Sequence, residues 1–110
     1  MKKISLTALS LAVGVAMGGL SSVANSAPSL SAADFERAKN LYFERCAGCH
    51  GVLRKGATGK NLEPKSTLEL GQERLEKILT YGTEGGMNNF DDIFSKEEIS
   101  LLATYIQLEP

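Results

Sequence analysis

An all-α fold of about three helices is predicted by three features of this sequence. Apolar residues recur at helical spacing in three separate segments. Those segments are bounded by recognisable cap and stop residues. No stretch shows the strict alternation of a half-buried strand.

The first residues precede any of these helices. Lys2 and Lys3 form a short basic region, Ile4 to Leu20 contains no charge, and Ser21 to Ala27 is a run of mostly small residues. This is the layout of a secretory signal, so residues 1–27 are expected to be a leader and 28–110 the mature domain. Cleavage after Ala24, Ser26 or Ala27 would each suit the small-residue run. The alternative is an uncleaved anchor. At about 17 residues, interrupted by Gly14, Gly18 and Gly19, the apolar segment is at the lower limit for crossing a bilayer. Export, with no stable membrane insertion after cleavage, is therefore the expectation.

The first helix runs over roughly 31–45. Ser31 is placed as an N-cap, and Phe35, Ala38, Leu41 and Tyr42 follow at helical spacing. From Gly51 to Ser66, glycines, lysines and Pro64 punctuate a loop. A second helix is predicted at about 68–81, with Leu68, Leu75, Ile78 and Leu79 apolar and Gly82 as its stop. Residues 83–90 form an irregular, glycine-containing stretch around Met87. The last helix is the best marked: Ser95 and Glu98 have capping-box spacing, and Ile99, Leu101, Leu102, Tyr105, Ile106 and Leu108 supply an apolar face ending near Leu108.

Charge and size narrow the function. Removing Lys2 and Lys3 with the leader leaves ten basic residues against thirteen acidic ones, a net charge of −3. That is too mild to indicate nucleic acid as a partner. A domain of this size buries a limited core and commonly relies on a staple such as a disulfide, a metal or a cofactor. Yet the two cysteines lie three positions apart, in Cys46-Ala47-Gly48-Cys49-His50, and bridge nothing distant.

Cys-x-x-Cys-His is the attachment pattern of c-type haem. Two thiols at the end of a helix can reach the two vinyl groups on one porphyrin edge, and the next residue falls beneath the iron. Cys46 and Cys49 are thus the expected thioether sites of one covalent haem c, and His50 the proximal iron ligand. Other readings fit less well. A two-cysteine redox motif belongs after a strand in a βαβ unit, whereas the lead-in here is helical. A structural zinc site needs four ligands, and only two cysteines and one histidine exist. A local disulfide would leave His50 and the glycine loops without a role. Burying several hundred Å² of porphyrin at about 25 cal/mol per Å² would add on the order of 10 kcal/mol to a small core.

His50 is the only histidine, so ligation by two histidines is excluded. Met1 and Met17 fall in the leader, which leaves Met87 as the expected distal ligand; the alternatives are a Met87 that only fills a gap in the core, and Lys55, Lys60 or an open site at the iron. A His/Met pair fills both axial positions and raises the reduction potential, which suits electron transfer and not catalysis on oxygen or peroxide.

The order of elements resembles the class I cytochromes c over the whole mature sequence. The resemblance implies that the first and last helices cross beside the haem, with Phe35, Ala38 and Leu41 against Leu101, Leu102 and Tyr105. The segment Tyr42 to Lys60, with Thr80-Tyr81-Gly82 and Gly86-Met87-Asn88-Asn89-Phe90, resembles the haem-c domain of the periplasmic cytochrome-cd nitrite reductases and the small free-standing cytochromes c found with them in denitrifiers. The propeller domain of those enzymes has no counterpart, so their activity is not expected.

Two positions depart from the family pattern. In Thr58-Gly59-Lys60-Asn61-Leu62, Lys60 stands where proline is usual, although its carbonyl can still accept from the proximal imidazole. Asn88 follows Met87 where proline is common.

The resemblance implies a monomeric electron carrier, not an enzyme, whose partners are periplasmic redox proteins, first among them a cytochrome-cd nitrite reductase. The alternative is an accessory redox role in making or delivering the d-type haem. Val52, Gly85, Gly86, Asn89 and Phe90 are expected around the exposed haem edge, with Arg54, Lys55 and Lys60 as a positive rim.

Overall fold

The structure, a computed structural model, describes residues 10, 12–14, 18 and 27–110. Most of the expected leader, 1–27, and two of its three candidate cleavage points lie outside those residues. No helix among the described residues is long and apolar enough to cross a membrane.

The fold is all-α, with no strand among the described residues. Four helices follow in order: α1 (Ala32–Arg45), α2 (Ala47–His50), α3 (Pro64–Tyr81) and α4 (Lys96–Tyr105). Three match the sequence expectation. The fourth, α2, is a single turn that holds the cysteine motif.

α1 starts where expected, because the Ser31 hydroxyl accepts from the Asp34 N–H and satisfies one of the free donors of the first turn. α4 likewise begins with a complete capping box: the Ser95 hydroxyl accepts from Glu98 N–H, and the Glu98 carboxylate accepts from Ser95 N–H. It ends at Tyr105, three residues before the expected Leu108, as the chain tightens into turn bonds from Gln107 to Thr104 and from Leu108 to Tyr105.

α3 starts four residues earlier than the apolar pattern suggests. Pro64 occupies its first turn, where a missing N–H costs nothing and a fixed φ favours helix. Gly71 interrupts it with φ 75° and ψ 165°, so α3 is two helical pieces meeting at a kink. Beyond the kink, the Gln72 side-chain amide donates to the Ser100 carbonyl and accepts from Thr104 and Gln107. This polar cluster joins α3 to α4.

α4 is the central element, packing on α1 and on α3. The buried core comprises Ala38 and Tyr42 of α1, Leu75 and Leu79 of α3, and Ile99, Leu101, Leu102, Ala103 and Tyr105 of α4, together with Cys46, Phe94 and Ile106. Phe35 meets Tyr105 edge-on at 5.2 Å, and Tyr42 lies 5.7 Å from Tyr105. The expected contact between first and last helices is therefore made. Each fully buried aliphatic or aromatic side chain there contributes about 1.5–3 kcal/mol.

Candidate functional site

The cysteine motif sits where α1 hands over to α2. Cys46 N–H donates to the Tyr42 carbonyl at 2.7 Å, closing α1, and Cys49 and His50 both donate back to the Cys46 carbonyl. Gly51, at φ 86°, ends this turn in a conformation that side chains resist. The Tyr42 hydroxyl donates to the Gly51 carbonyl at 2.7 Å, tying the end of the turn back to α1. Cys46 is buried and Cys49 exposed, and both are free thiols. Burial, reinforced by neighbouring Cys49, pushes the Cys46 thiol up to about 11.

His50 is oriented by the loop that follows. Its Nδ1 lies 2.7 Å from the Lys60 carbonyl oxygen. A carbonyl can only accept, so Nδ1 holds the proton and Nε2 keeps a free lone pair. Replacement of the usual proline by Lys60 therefore leaves this bond intact. The loop is held beneath the imidazole by Gly59 N–H to the Cys49 carbonyl and Gly56 N–H to the His50 carbonyl, at 2.7 and 2.8 Å. A Cβ at Gly59 would fall 2.7 Å from His50 Cε1 and 2.8 Å from Nδ1, so only glycine fits against the ring. Asn61 secures the far end, accepting from Glu63 N–H and donating to the Glu63 carboxylate and the Lys55 carbonyl.

Arg54 corrects one expectation. Its side chain is fully buried and contributes nothing to a surface rim, whereas Lys55 and Lys60 are exposed. The guanidinium donates to the carbonyls of Tyr105 and Leu108. Burial lowers its pKa from the ordinary value. Sequence reading missed this because a lysine- and glycine-rich loop looks solvated. Nothing in its local pattern reports a partner 51 residues away.

Met87 lies in the loop between α3 and α4, half-buried and packed against the core. Glu84, Gly85, Gly86, Asn88 and Asn89 around it are exposed, as is Val52 beside the cysteine turn. Phe90 N–H donates to the Leu79 carbonyl at 2.9 Å, fixing the loop's far end on α3. The structure thus gathers Cys46, Cys49 and His50 into one turn and supplies Met87 from a separate loop.

These groups fit a covalently held iron porphyrin. Two unpaired thiols lie on one turn of helix, an imidazole is fixed through Nδ1 with Nε2 free, and a thioether is available elsewhere. Among the described residues, no three His, Cys, Asp or Glu side chains converge as a metal-holding group. The thiols and imidazole are therefore arranged along a turn, unlike the converging ligands of a structural zinc site.

Comparison with known proteins defines the class: this is a c-type cytochrome domain, a protein that holds one covalent haem c. Residues 33–106 match the family described as cytochrome c oxidase, cbb3-type, subunit III, and the chain belongs to that family. A nitrite reductase from Stutzerimonas stutzeri is 53% identical over 91% of this chain, which spans only 20% of that protein's length. A cytochrome c6-like protein from Nostoc is 31% identical, covering 72% of this chain and 74% of its own.

Solved structures agree on the fold. The dihydro-haem d1 dehydrogenase NirN, in complex with DHE, superposes with a TM-score of 0.63 and 26% identity, over 66% of this chain and 16% of that one. The c-type cytochrome NirC superposes with a TM-score of 0.61 over 71% of this chain and 93% of its own; at 20% identity it speaks to fold alone.

Proposed function

We propose that residues 1–27 direct this chain to the periplasm and are removed, and that residues 28–110 act there as a monomeric electron carrier, donating to a cytochrome-cd nitrite reductase. The observation that carries the reading is the 53% identity to the Stutzerimonas stutzeri nitrite reductase along 91% of this chain. Because the chain spans a fifth of that protein, the enzyme's own activity is not assigned to it.

Four residues form the site in this reading. Cys46 and Cys49 form the two thioethers. His50 binds iron through Nε2 while Lys60 holds the Nδ1 proton, which strengthens the imidazole as a donor. Met87 would offer its thioether sulfur as the other iron ligand, from the loop between α3 and α4. Bound haem c would supply a one-electron couple at iron, suited to electron transfer. The protein's contribution is to keep both ligands in place in either oxidation state.

Cofactor attachment and export are tested together by intact mass and acidified-solvent extraction of the exported protein. A haem that survives extraction, lost in the Cys46→Ser/Cys49→Ser double variant, with residues up to one of Ala24, Ser26 or Ala27 removed, is the expected result. The partner is tested by stopped-flow mixing of the reduced protein with a cytochrome-cd nitrite reductase and nitrite. No reoxidation above background would reject the donor role.

A second reading, an accessory redox role in making or delivering d-type haem, is favoured by the likeness to the dihydro-haem d1 dehydrogenase NirN. Accumulation of a haem precursor on deletion, when the reductase has other donors, would select it over the first.

A further inference from the structure

We infer that Thr83 is a positioning residue for Met87, gripping both sides of its main chain so that the methionine loop presents sulfur to iron. The inference rests on the reading of Met87 as an axial ligand. Its basis is the way residues 82–90 fold back over the end of α3.

Thr83 bonds to Met87 twice. Its main-chain N–H donates to the Met87 carbonyl at 3.0 Å, and its hydroxyl oxygen accepts from the Met87 N–H at 3.3 Å. The Thr83 carbonyl in turn accepts from Gly86 N–H at 3.3 Å. One residue thus fixes both polar groups of the Met87 main chain and the approach to it from Gly86.

The neighbouring glycine makes that grip close. Gly82 has φ 73°, and a Cβ there would lie 2.4 Å from the Met87 carbonyl oxygen and 2.9 Å from Asn88 and Asn89 backbone atoms. All three obstacles are main chain, so no side-chain rotation could relieve them. The loop is pressed onto the C-terminus of α3, and the next fixed point is Phe90 on the Leu79 carbonyl. Asn88, the residue after Met87, adds no ring constraint. The Thr83 hydroxyl is the side-chain group that holds the Met87 N–H.

The chemical consequence concerns ligand retention. A thioether is a weak, neutral ligand, and its hold on iron competes with release of the loop. An acceptor that fixes the Met87 N–H lowers the population of the released form. It need not alter how Cys46, Cys49 or His50 hold haem.

The test uses the holoprotein and free imidazole as a competing ligand. Thr83→Val keeps the shape but removes the acceptor, and Thr83→Ser restores it. In ferric protein, Thr83→Val should bind imidazole roughly fivefold more tightly than wild type, the change expected for one net hydrogen bond. The long-wavelength sulfur-to-iron charge-transfer band should weaken in parallel. Thr83→Ser should return both to wild-type values.

Wild-type imidazole affinity in Thr83→Val, or failure of Thr83→Ser to rescue, would overturn the positioning role. Met87→Leu separates the two levels. Loss of the sulfur band in Met87→Leu, with no effect of Thr83→Val, leaves the ligand assignment standing and removes the clamp. Absence of the band from wild type removes the ligand assignment itself and the clamp with it. A melting curve for each variant, followed at the haem absorption, checks that binding is compared between folded proteins.

Discussion

The guanidinium of Arg54 lies 4.9 Å from the centre of the Tyr105 ring and donates to the Tyr105 carbonyl at 3.1 Å, with no exposed surface of its own. Arg54 belongs to the loop after His50, and Tyr105 ends the last helix. A positive charge beside the free carbonyls of a helix C-terminus is favourably placed. Arg54 also has φ 60°, unusual for a residue with a side chain, and its carbonyl accepts from Leu62 N–H. The loop that orients His50 is thus fastened to α4 by one buried cation.

Removing that cation should be costly. Arg54→Ala would lose two charge-assisted hydrogen bonds and the ring contact, for about 3 kcal/mol of stability. Arg54→Lys keeps the charge but not the fork, and should fall between wild type and alanine. Urea unfolding of the holoprotein measures the order. Wild-type stability in Arg54→Ala would show that the loop is held by its backbone bonds alone.

Tyr42 gives a pH-dependent signature. Burial raises its phenol from 10.0 to about 12, and its hydroxyl donates to the Gly51 carbonyl. The folded state therefore favours the neutral phenol. Its contribution is complete below pH 10 and is lost as pH rises through 12. Tyr42→Phe should cost about 1 kcal/mol at neutral pH. It should also flatten the decline of stability between pH 10 and 12, leaving the share from Tyr105, which burial also raises. Denaturant midpoints across that range are the measurement, and an unchanged alkaline slope would assign the decline elsewhere.

The N-cap of α4 offers a local comparison. Ser95→Ala breaks one half of the capping box and should cost about 1 kcal/mol, because a helix donor loses its partner. Ser31→Ala at α1 should cost a similar amount through the Asp34 N–H. Thermal unfolding of both variants tests whether the two caps weigh equally, as their matching 3.1 Å bonds predict.

Where sequence and structure agree or part follows from the range of the forces involved. Ser31, Ser95 and Glu98 act within one helical turn, so their caps were legible from spacing alone. The Phe35–Tyr105 contact was legible through the family resemblance, since nothing local joins residues so far apart. The early start of α3 was hidden because Pro64 marks a helix start as readily as a loop. The kink at Gly71 was hidden because one glycine in an apolar pattern is usually tolerated. In the site, Cys46, Cys49, His50 and Met87 stood out by residue type. The groups proposed to aim them leave little trace in the pattern: Arg54 acts through a partner 51 residues away, Gly59 and Gly82 through the absence of a side chain, and Thr83 through a loop fold that its spacing from Met87 does not announce.

Gly59 gives the sharpest test of how the proposed iron ligand is oriented. A methyl group there would meet the imidazole at 2.7–2.8 Å, and Cys49 carbonyl oxygen at 3.1 Å. Contacts under 3 Å do not persist, so in Gly59→Ala either the ring turns or the 58–61 backbone retreats. Both movements lengthen the bond from His50 Nδ1 to the Lys60 carbonyl. An imidazole without that acceptor is a poorer donor and stabilises ferric iron less. The midpoint potential should therefore rise, by on the order of 40 mV if about 1 kcal/mol of hydrogen bonding is lost from the ferric state. Gly48→Ala is the control, because it lies between Cys46 and Cys49 in the turn that carries His50, yet a Cβ there meets nothing within 4 Å. Its potential should stay at the wild-type value. Equal shifts in the two variants would mean that potential responds to any change near the cysteine motif, and an unmoved Gly59→Ala would mean that the Lys60 carbonyl does not tune His50.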